Sequence, residues 1–121
     1  MICLLLILAP GGPPLFVHAE PLDPSSFTLS WEPPVLELRN GIIEQYRIGI
    51  TEQETGRVTM LTTDSSGMNV TSLHPYYTYN CTVAAETSVG IGPFSSPVVI
   101  RLPESGMCSG LSYYALTVLV A

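Results

Sequence analysis

Apolar and polar residues alternate with a period of two along most of the chain between residues 14 and 103. Successive side chains of a β-strand point to opposite faces of a sheet, so this alternation is typical of strands that bury one face. Sustained 3.6-residue periodicity, the mark of an amphipathic helix, is absent from this region. Together with residues 15–17, the alternating groups predict about seven short strands. Their apolar members are Phe27, Leu29 and Trp31; Tyr46, Ile48 and Ile50; Val58 and Met60; Met68 and Val70; Tyr79, Cys81, Val83 and Ala85; and Val98, Ile100 and Leu102.

Turn-forming residues separate the predicted strands, at positions 21–24, 32–34, 40–41, 55–56, 65–67, 74–75 and 90–93. The chain contains 11 Pro and 10 Gly without a collagen-like period, a composition that breaks helices and suits short strands joined by turns. Short antiparallel strands at this spacing predict an all-β sandwich, with apolar residues between the two sheets and polar residues outside. On this interpretation Val58 and Met60 face the core, like the apolar members of the other strands.

Both ends of the chain are apolar and uncharged, unlike the middle. We divide the chain into a leader at residues 1–12, one domain at residues 13–104 and a tail at residues 105–121. The leader is interpreted either as the apolar region of a signal peptide or as a truncated N-terminus. The tail is interpreted as a truncated membrane segment, a lipid-anchor signal or read-through of an exon. Neither apolar run reaches the roughly 20 residues that a membrane-spanning helix needs.

The charge balance excludes some classes of partner. The chain has 121 residues, four Arg, no Lys and ten carboxylates, which gives a net charge of −6. Nucleic-acid binding and a basic membrane-surface helix both need a positively charged face, so neither is predicted. A hydrophobic content of 46% also argues against intrinsic disorder.

Residues with catalytic or metal-binding potential do not form a recognisable pattern. Cys3, Cys81 and Cys108 are far apart in sequence, and the two histidines, His18 and His74, stand alone. The carboxylates are scattered and do not follow a Ca²⁺-loop spacing. We therefore predict no enzymatic activity, no cofactor and no metal site.

Several short motifs stand in register along residues 13–103. These are Pro13-Pro14, Ser30-Trp31-Glu32-Pro33-Pro34, Asn40-Gly41-Ile42-Ile43, Tyr46, Leu73-His74-Pro75-Tyr76-Tyr77-Thr78-Tyr79, Val83, Ala85, Gly90, Gly92, Pro93 and Ser95. With these motifs the stretch resembles the fibronectin type III domain family. The resemblance implies a seven-stranded antiparallel Greek-key sandwich, immunoglobulin-like, without an obligatory disulfide.

Five residues are expected to be structural within this fold: Trp31, Tyr46, Leu73, Pro75 and Tyr79. Trp31 is expected to be a large anchor between the sheets. The spacing of Leu73, Pro75 and Tyr79 predicts a tyrosine corner, in which the Tyr79 hydroxyl bonds backbone a few residues upstream. Alternation also places Cys81 inward, as a buried small apolar residue.

The resemblance implies a non-catalytic extracellular module for protein binding, adhesion or reception, as in the ectodomains of adhesion molecules and receptor-type tyrosine phosphatases. It also implies that the chain is a fragment of a larger cell-surface protein. Its partners would be a protein ligand or neighbouring extracellular domains, with membrane attachment through a C-terminal segment. Two alternatives stay open: a structural spacer without its own ligand, and an intracellular module of a cytoskeletal protein. The family's Arg-Gly-Asp tripeptide is absent from residues 88–94, so integrin binding is not expected.

Two sequons for N-linked glycosylation favour an extracellular location. Asn69-Val70-Thr71 and Asn80-Cys81-Thr82 both satisfy the N-x-S/T rule. Alternation points Asn69 and Asn80 away from the core on the fifth and sixth predicted strands. We therefore predict glycosylation of at least one of them in the secretory pathway, with Asn69 favoured because it is nearer a turn.

Overall fold

The computed structural model describes residues 7–103, so the predictions for residues 1–6 and 104–121 lie outside the described part. Seven strands form two antiparallel sheets that pack face to face, which confirms the predicted all-β sandwich. The first sheet has the order β1-β2-β5 and the second β4-β3-β6-β7. The strands are β1 Leu15–Asp23, β2 Ser26–Glu32, β3 Gln45–Glu52, β4 Val58–Thr63, β5 Gly67–Val70, β6 Thr78–Glu86 and β7 Val98–Arg101.

The core lies between the sheets and is built from the inward-facing members of the alternating strands. The buried set includes Phe27, Leu29, Trp31, Tyr46, Ile48, Ile50, Val70, Tyr79, Cys81, Val83, Ala85, Ile100 and Leu102. Aromatic rings join the two sheets, because Trp31 meets Tyr46 edge to face at 5.3 Å between ring centroids. Edge-to-face contact suits the ring quadrupoles and adds to the stabilisation from apolar burial.

The prediction that Val58 and Met60 face the core is wrong. Both belong to β4, and their exposed fractions are 59% and 52%. In the β3–β4 ladder Met60 pairs with Gly49 and Leu61 pairs with Ile48, so Leu61 takes the inward position. The alternation of β4 is therefore offset by one residue from the simple apolar pattern, because the core-facing positions of the partner strand set the register.

The predicted turn at residues 21–24 is shorter in the structure, since β1 continues to Asp23. Pro21 is tolerated because β1 is an edge strand, where a missing backbone N–H need not break a ladder. The chain then reverses sharply: the Asp23 carboxylate accepts hydrogen bonds from the Ser25 backbone N–H at 2.8 Å and the Ser25 hydroxyl at 3.1 Å. The backbone hydrogen bond from Ser25 is the main reason that the pKa of Asp23 is lowered.

The connections between strands collect at two opposite ends of the sandwich. Pairing of Gln45 with Glu86 and of Tyr46 with Thr63 places the β2–β3, β4–β5 and β6–β7 connections at one end. The chain before Leu15 lies there as well, because Leu15 pairs with Glu32 at the end of β2. We call this end the N-terminal pole; it comprises residues 7–14, 33–44, 64–66 and 87–97.

Candidate binding surface

Exposed apolar side chains concentrate at the N-terminal pole. Leu36 and Ile42 are 71% and 79% exposed, although both are large aliphatic residues. Single exposed apolar residues are ordinary on protein surfaces, whereas a group at one end of a domain indicates an interaction site. The exposed members at this pole are Ile7, Leu8, Val35, Leu36, Leu38, Ile42, Val89, Ile91 and Phe94.

Residues 7–12 are tied to the loops of the pole by backbone and side-chain hydrogen bonds. The Leu8 N–H donates to the Asn40 carbonyl at 2.8 Å, and the Asn40 side-chain amide donates to the Ala9 carbonyl at 3.0 Å. The Thr87 hydroxyl donates to the Leu8 carbonyl at 2.7 Å. The segment therefore bridges the β2–β3 and β6–β7 connections.

The β2–β3 connection owes its shape to a short helical turn and to the predicted turn at Asn40-Gly41. Leu36–Leu38 form a 3₁₀ turn, and the Arg39 guanidinium donates from Nε to the Pro34 carbonyl at 2.9 Å. Asn40 has a φ of 58° and Gly41 a φ of 147°, values that favour Asn and Gly over branched residues. The turn directs Ile42 into solvent beyond the end of the sheet.

The β6–β7 connection follows the end of β6 instead of looping freely. Backbone N–H groups of Gly92 and Ser95 donate to the Ala85 and Val83 carbonyls at 2.9 and 2.8 Å. The Ser95 hydroxyl also accepts from the Val83 N–H at 3.1 Å. These hydrogen bonds fix the β6–β7 connection against the end of β6. The connection exposes the side chains of Val89, Ile91 and Phe94 to solvent.

A charged group is fixed on the outer face of the larger sheet beside this pole. The Glu86 carboxylate accepts hydrogen bonds from Arg47 Nε at 2.8 Å and from Gln45 Nε2 at 2.9 Å. These contacts, led by the one with Arg47, lower the pKa of Glu86. The Glu86 carboxylate therefore stays charged at neutral pH, and its contact with Arg47 forms a polar boundary to the apolar loops.

The predicted glycosylation residues lie on the outer faces of different sheets, away from the N-terminal pole. Asn69 is exposed on β5, where its Oδ1 accepts a hydrogen bond from the Thr28 hydroxyl at 3.0 Å. Asn80 is half-buried on β6, and its Oδ1 accepts from Gln53 Nε2 at 2.7 Å. The side-chain nitrogen of each asparagine takes no part in its hydrogen bond. This nitrogen therefore lies on an outer face of the sandwich in both residues.

The predicted structural residues form two separate groups in the core. The Tyr79 hydroxyl accepts a hydrogen bond from the His74 backbone N–H at 2.9 Å, which is the geometry of a tyrosine corner. Leu73, half-buried, packs against the core beside it, and Pro75 follows in the same turn. Burial is the main cause that raises the pKa of Tyr79. This group occupies the end of the sandwich opposite the N-terminal pole.

Trp31 and Tyr46 form the other group, in the core near the N-terminal pole. Trp31 is 4% exposed, and its Nε1 is buried without a hydrogen-bond partner among residues 7–103. A side chain enclosed to this extent supports the fold and does not present a stacking surface to a ligand. Burial likewise raises the pKa of Tyr46.

The alternation of apolar and polar residues does not predict the exposed apolar side chains of the N-terminal pole. Alternation finds residues that face a core, whereas Leu36, Ile42 and Phe94 stand in segments rich in turn-forming residues. The sequence signal that could identify them is the presence of large apolar residues inside those segments.

Within residues 7–103, the structure contains neither a metal-binding group of His, Cys, Asp and Glu nor a helix that is long and apolar enough to cross a membrane.

Comparisons with known proteins agree with this architecture. The family model described as fibronectin type III domain matches residues 12–101. The human cell adhesion molecule DSCAM is 35% identical over 103 residues, covering 79% of this chain and 5% of DSCAM. The Drosophila melanogaster tyrosine-protein phosphatase Lar is 34% identical over 97 residues, covering 78% of this chain and 5% of Lar. The chain thus spans about a twentieth of the length of these relatives.

Solved structures give the same result in three dimensions. The FN5 domain of Drosophila Lar superposes with a TM-score of 0.66 at 33% identity, covering 80% of this chain and 100% of that domain. A twitchin kinase region from C. elegans superposes with a TM-score of 0.72 at 23% identity, covering 81% of this chain and 17% of that one. The latter similarity concerns the fold alone. From the sandwich topology, the core and the family match, the chain belongs to the fibronectin type III family.

Proposed function

We propose that this chain is a non-catalytic extracellular module that binds another protein or a neighbouring extracellular domain through its N-terminal pole. The observation that carries the proposal is the concentration of exposed apolar side chains on loops held in place by hydrogen bonds. Its relatives DSCAM and receptor-type tyrosine-protein phosphatase F support a role at the cell surface by their names and by their identity of 35% and 33%.

The chemistry of the pole favours a protein over a small molecule or a polyanion. Leu36, Ile42 and Phe94 expose large apolar side chains of the kind that mark protein interaction sites. Arg39 at this pole already donates to the Pro34 carbonyl, and the net charge of the chain is −6. Loops that are ordered before binding lose less conformational entropy when a partner docks, which strengthens binding.

An extracellular location is supported by the two sequons and by their placement. Asn69 and Asn80 both lie on outer faces, so an attached sugar would leave the apolar pole accessible. The intracellular alternative predicts a chain that is never secreted and carries no sugar. The spacer alternative predicts a secreted chain whose pole binds nothing.

The decisive experiment is cell adhesion to surfaces coated with the secreted chain. We expect adherent mammalian cells to attach to the wild type and to lose attachment on the double variant Leu36→Glu/Ile42→Glu. Leu22→Glu is the matched control, since Leu22 is a 51% exposed aliphatic residue at the opposite end. Absence of attachment to the wild type would contradict a binding role and favour the spacer. Equal loss in Leu22→Glu would show that attachment does not use the N-terminal pole.

A further inference from the structure

The outer face of the larger sheet carries an exposed apolar side chain directly beside one of the predicted glycosylation residues. Asn80 on β6 pairs with Val99 on β7, and directly paired residues of an antiparallel ladder share a face. Tyr79 and Cys81, on either side of Asn80, are fully buried, so Asn80 and Val99 lie on the outer face. Val99 is exposed there as an aliphatic neighbour of Asn80.

Two exposed apolar residues of β4 lie on the same face of the sheet. Thr51 of β3 pairs with Asn80 on one side and with Val58 of β4 on the other. Val58 therefore belongs to the same row of side chains as Asn80. Met60, two residues further along β4, points to the same face, because successive side chains of a strand alternate between faces.

Met60 approaches the sequon of Asn80 across β3, because β3 has a glycine at that position. A Cβ built at Gly49 would lie 3.4 Å from Met60 Sδ and 3.0 Å from Thr82 Oγ1. The Met60 side chain thus reaches over Gly49 towards Thr82, the third residue of the Asn80 sequon. We call the exposed apolar residues of this face the outer patch: Val58, Met60 and Val99.

The side-chain amide of Asn80 is held in one orientation by its neighbour. Its Oδ1 accepts a hydrogen bond from Gln53 Nε2 at 2.7 Å. Its Nδ2, the atom to which an N-linked sugar is attached, is neither hydrogen-bonded nor enclosed among residues 7–103. The Cβ atoms of directly paired residues lie about 4.5–5.5 Å apart, so a sugar on Asn80 begins within reach of Val99.

We propose that the N-linked sugar of Asn80 covers the outer patch, with its first N-acetylglucosamine packed against Val99 and Met60. A pyranose ring presents C–H groups on its faces, and packing them on aliphatic side chains removes apolar surface from water. The sugar thereby stabilises the folded domain. This inference rests on the extracellular location of the proposed function, since the secretory pathway supplies the sugar.

The surroundings of Asn69 differ, because the row of side chains that contains it is polar. Thr28 of β2 pairs with Asn69 on one side and with Glu20 of β1 on the other. Glu20 lies 3.0 Å from His18 Nε2, and both side chains are exposed. A sugar on Asn69 therefore meets hydrated polar groups, and we expect it to add less stability than a sugar on Asn80.

Thermal unfolding of two chains with one sequon each tests the inference. Asn69→Gln keeps the sequon of Asn80, and Asn80→Gln keeps that of Asn69. Each full chain is made in a eukaryotic host behind a host signal peptide and, without sugar, in bacteria, so the difference between preparations isolates the effect of the sugar. We expect the sugar on Asn80 to raise the Tm by about 4–8 °C, the shift from one modest contact in a domain of this size. The sugar on Asn69 should raise it clearly less.

A variant of the outer patch separates packing from the general effects of an attached sugar. Val99→Thr/Met60→Gln keeps similar side-chain shapes and removes their apolar character. In this background the sugar on Asn80 should raise the Tm no more than the sugar on Asn69 does. Leu22→Thr is the matched control, an exposed aliphatic residue of the smaller sheet, and it should leave the gain from the Asn80 sugar intact.

Circular dichroism and cooperative unfolding confirm that each variant is folded. An Asn80 that carries no sugar in the secretory host, equal gains from the two sugars, or a gain that persists in the patch variant would each overturn the inference. So would an outer patch that binds a second copy, seen as self-association of the bacterial chain that the patch variant abolishes, without a gain from the sugar. The host signal peptide supplies the sugar whatever the natural location, so this inference and cell attachment through the N-terminal pole can fail separately.

Discussion

The hydroxyl of Tyr79 is a buried polar group in a largely apolar core. It satisfies the His74 backbone N–H, which would otherwise be left without this partner. We expect Tyr79→Phe to lower the free energy of unfolding by about 1–2 kcal/mol, since the ring stays and only the hydrogen bond is lost. Urea denaturation measures the change. Tyr77→Phe is the control, at a half-buried tyrosine of the same turn, and an equal loss in both variants would argue against a special role for Tyr79.

Cys81 is fully buried on β6, and burial raises the pKa of its thiol from 9.0 to about 12. The unfolded chain therefore loses this proton at lower pH than the folded chain does. Stability is retained below pH 9 and falls as pH rises from 9 towards 12, by up to about 1.4 kcal/mol per pH unit.

Denaturation of the wild type and of Cys81→Ala across this pH range measures the effect. The variant should show a shallower decline, because it has no thiol to ionise. The same burial should keep Cys81 unreactive towards thiol reagents until denaturant is added. The chain also contains Cys3 and Cys108, so the label is located by peptide mass spectrometry. Rapid labelling of Cys81 itself in the folded protein at neutral pH would contradict its inward orientation.

At the scale of elements, the segment of residues 7–12 packs so closely on the β6–β7 connection that one methyl group should displace it. A Cβ at Gly92 would lie 2.7 Å from the Pro10 Cβ and 2.8 Å from the Pro10 carbonyl oxygen. We expect Gly92→Ala to destabilise the domain by about 1–3 kcal/mol, the usual range for overpacking.

Gly90→Ala is a matched control two residues away. Its added Cβ would meet the Ala9 Cβ at 3.6 Å, an ordinary van der Waals distance. Chemical denaturation should therefore separate the two variants. Equal stabilities would show that the segment of residues 7–12 does not contribute to the folded domain.

The strands and their buried faces could be predicted from alternation, because a sandwich core repeats the same two-residue period in each central strand. Trp31, Tyr46 and Cys81 are buried as that period requires. β4 could not be predicted in this way, since Met60 lies opposite Gly49 and is left exposed. The exposed apolar side chains of the N-terminal pole could not be predicted either, because the loops that carry them are distant in sequence and meet only after the sheets pack.

At the scale of the whole molecule, glycosylation reports the compartment in which the chain folds. In a eukaryotic secretory host we expect sugar on at least one sequon, with Asn69 favoured because it is exposed on a short edge strand. Glycosidase treatment should shift the protein on a gel, and Asn69→Gln and Asn80→Gln identify the modified site. A chain that is not secreted and stays unmodified would contradict the extracellular proposal.

The path of the chain through the sandwich has a mechanical consequence. Residues 7–14 lie at one pole, whereas β7 ends at the other, because Arg101 pairs with Thr78 at the start of β6. Tension applied between Pro14 and Pro103 therefore acts along the strands and loads the β1–β2 and β6–β7 ladders in shear. The β1–β2 ladder is interrupted on both sides of residues 18–21, so we expect β1 to detach first under load while the β3–β6 centre stays intact.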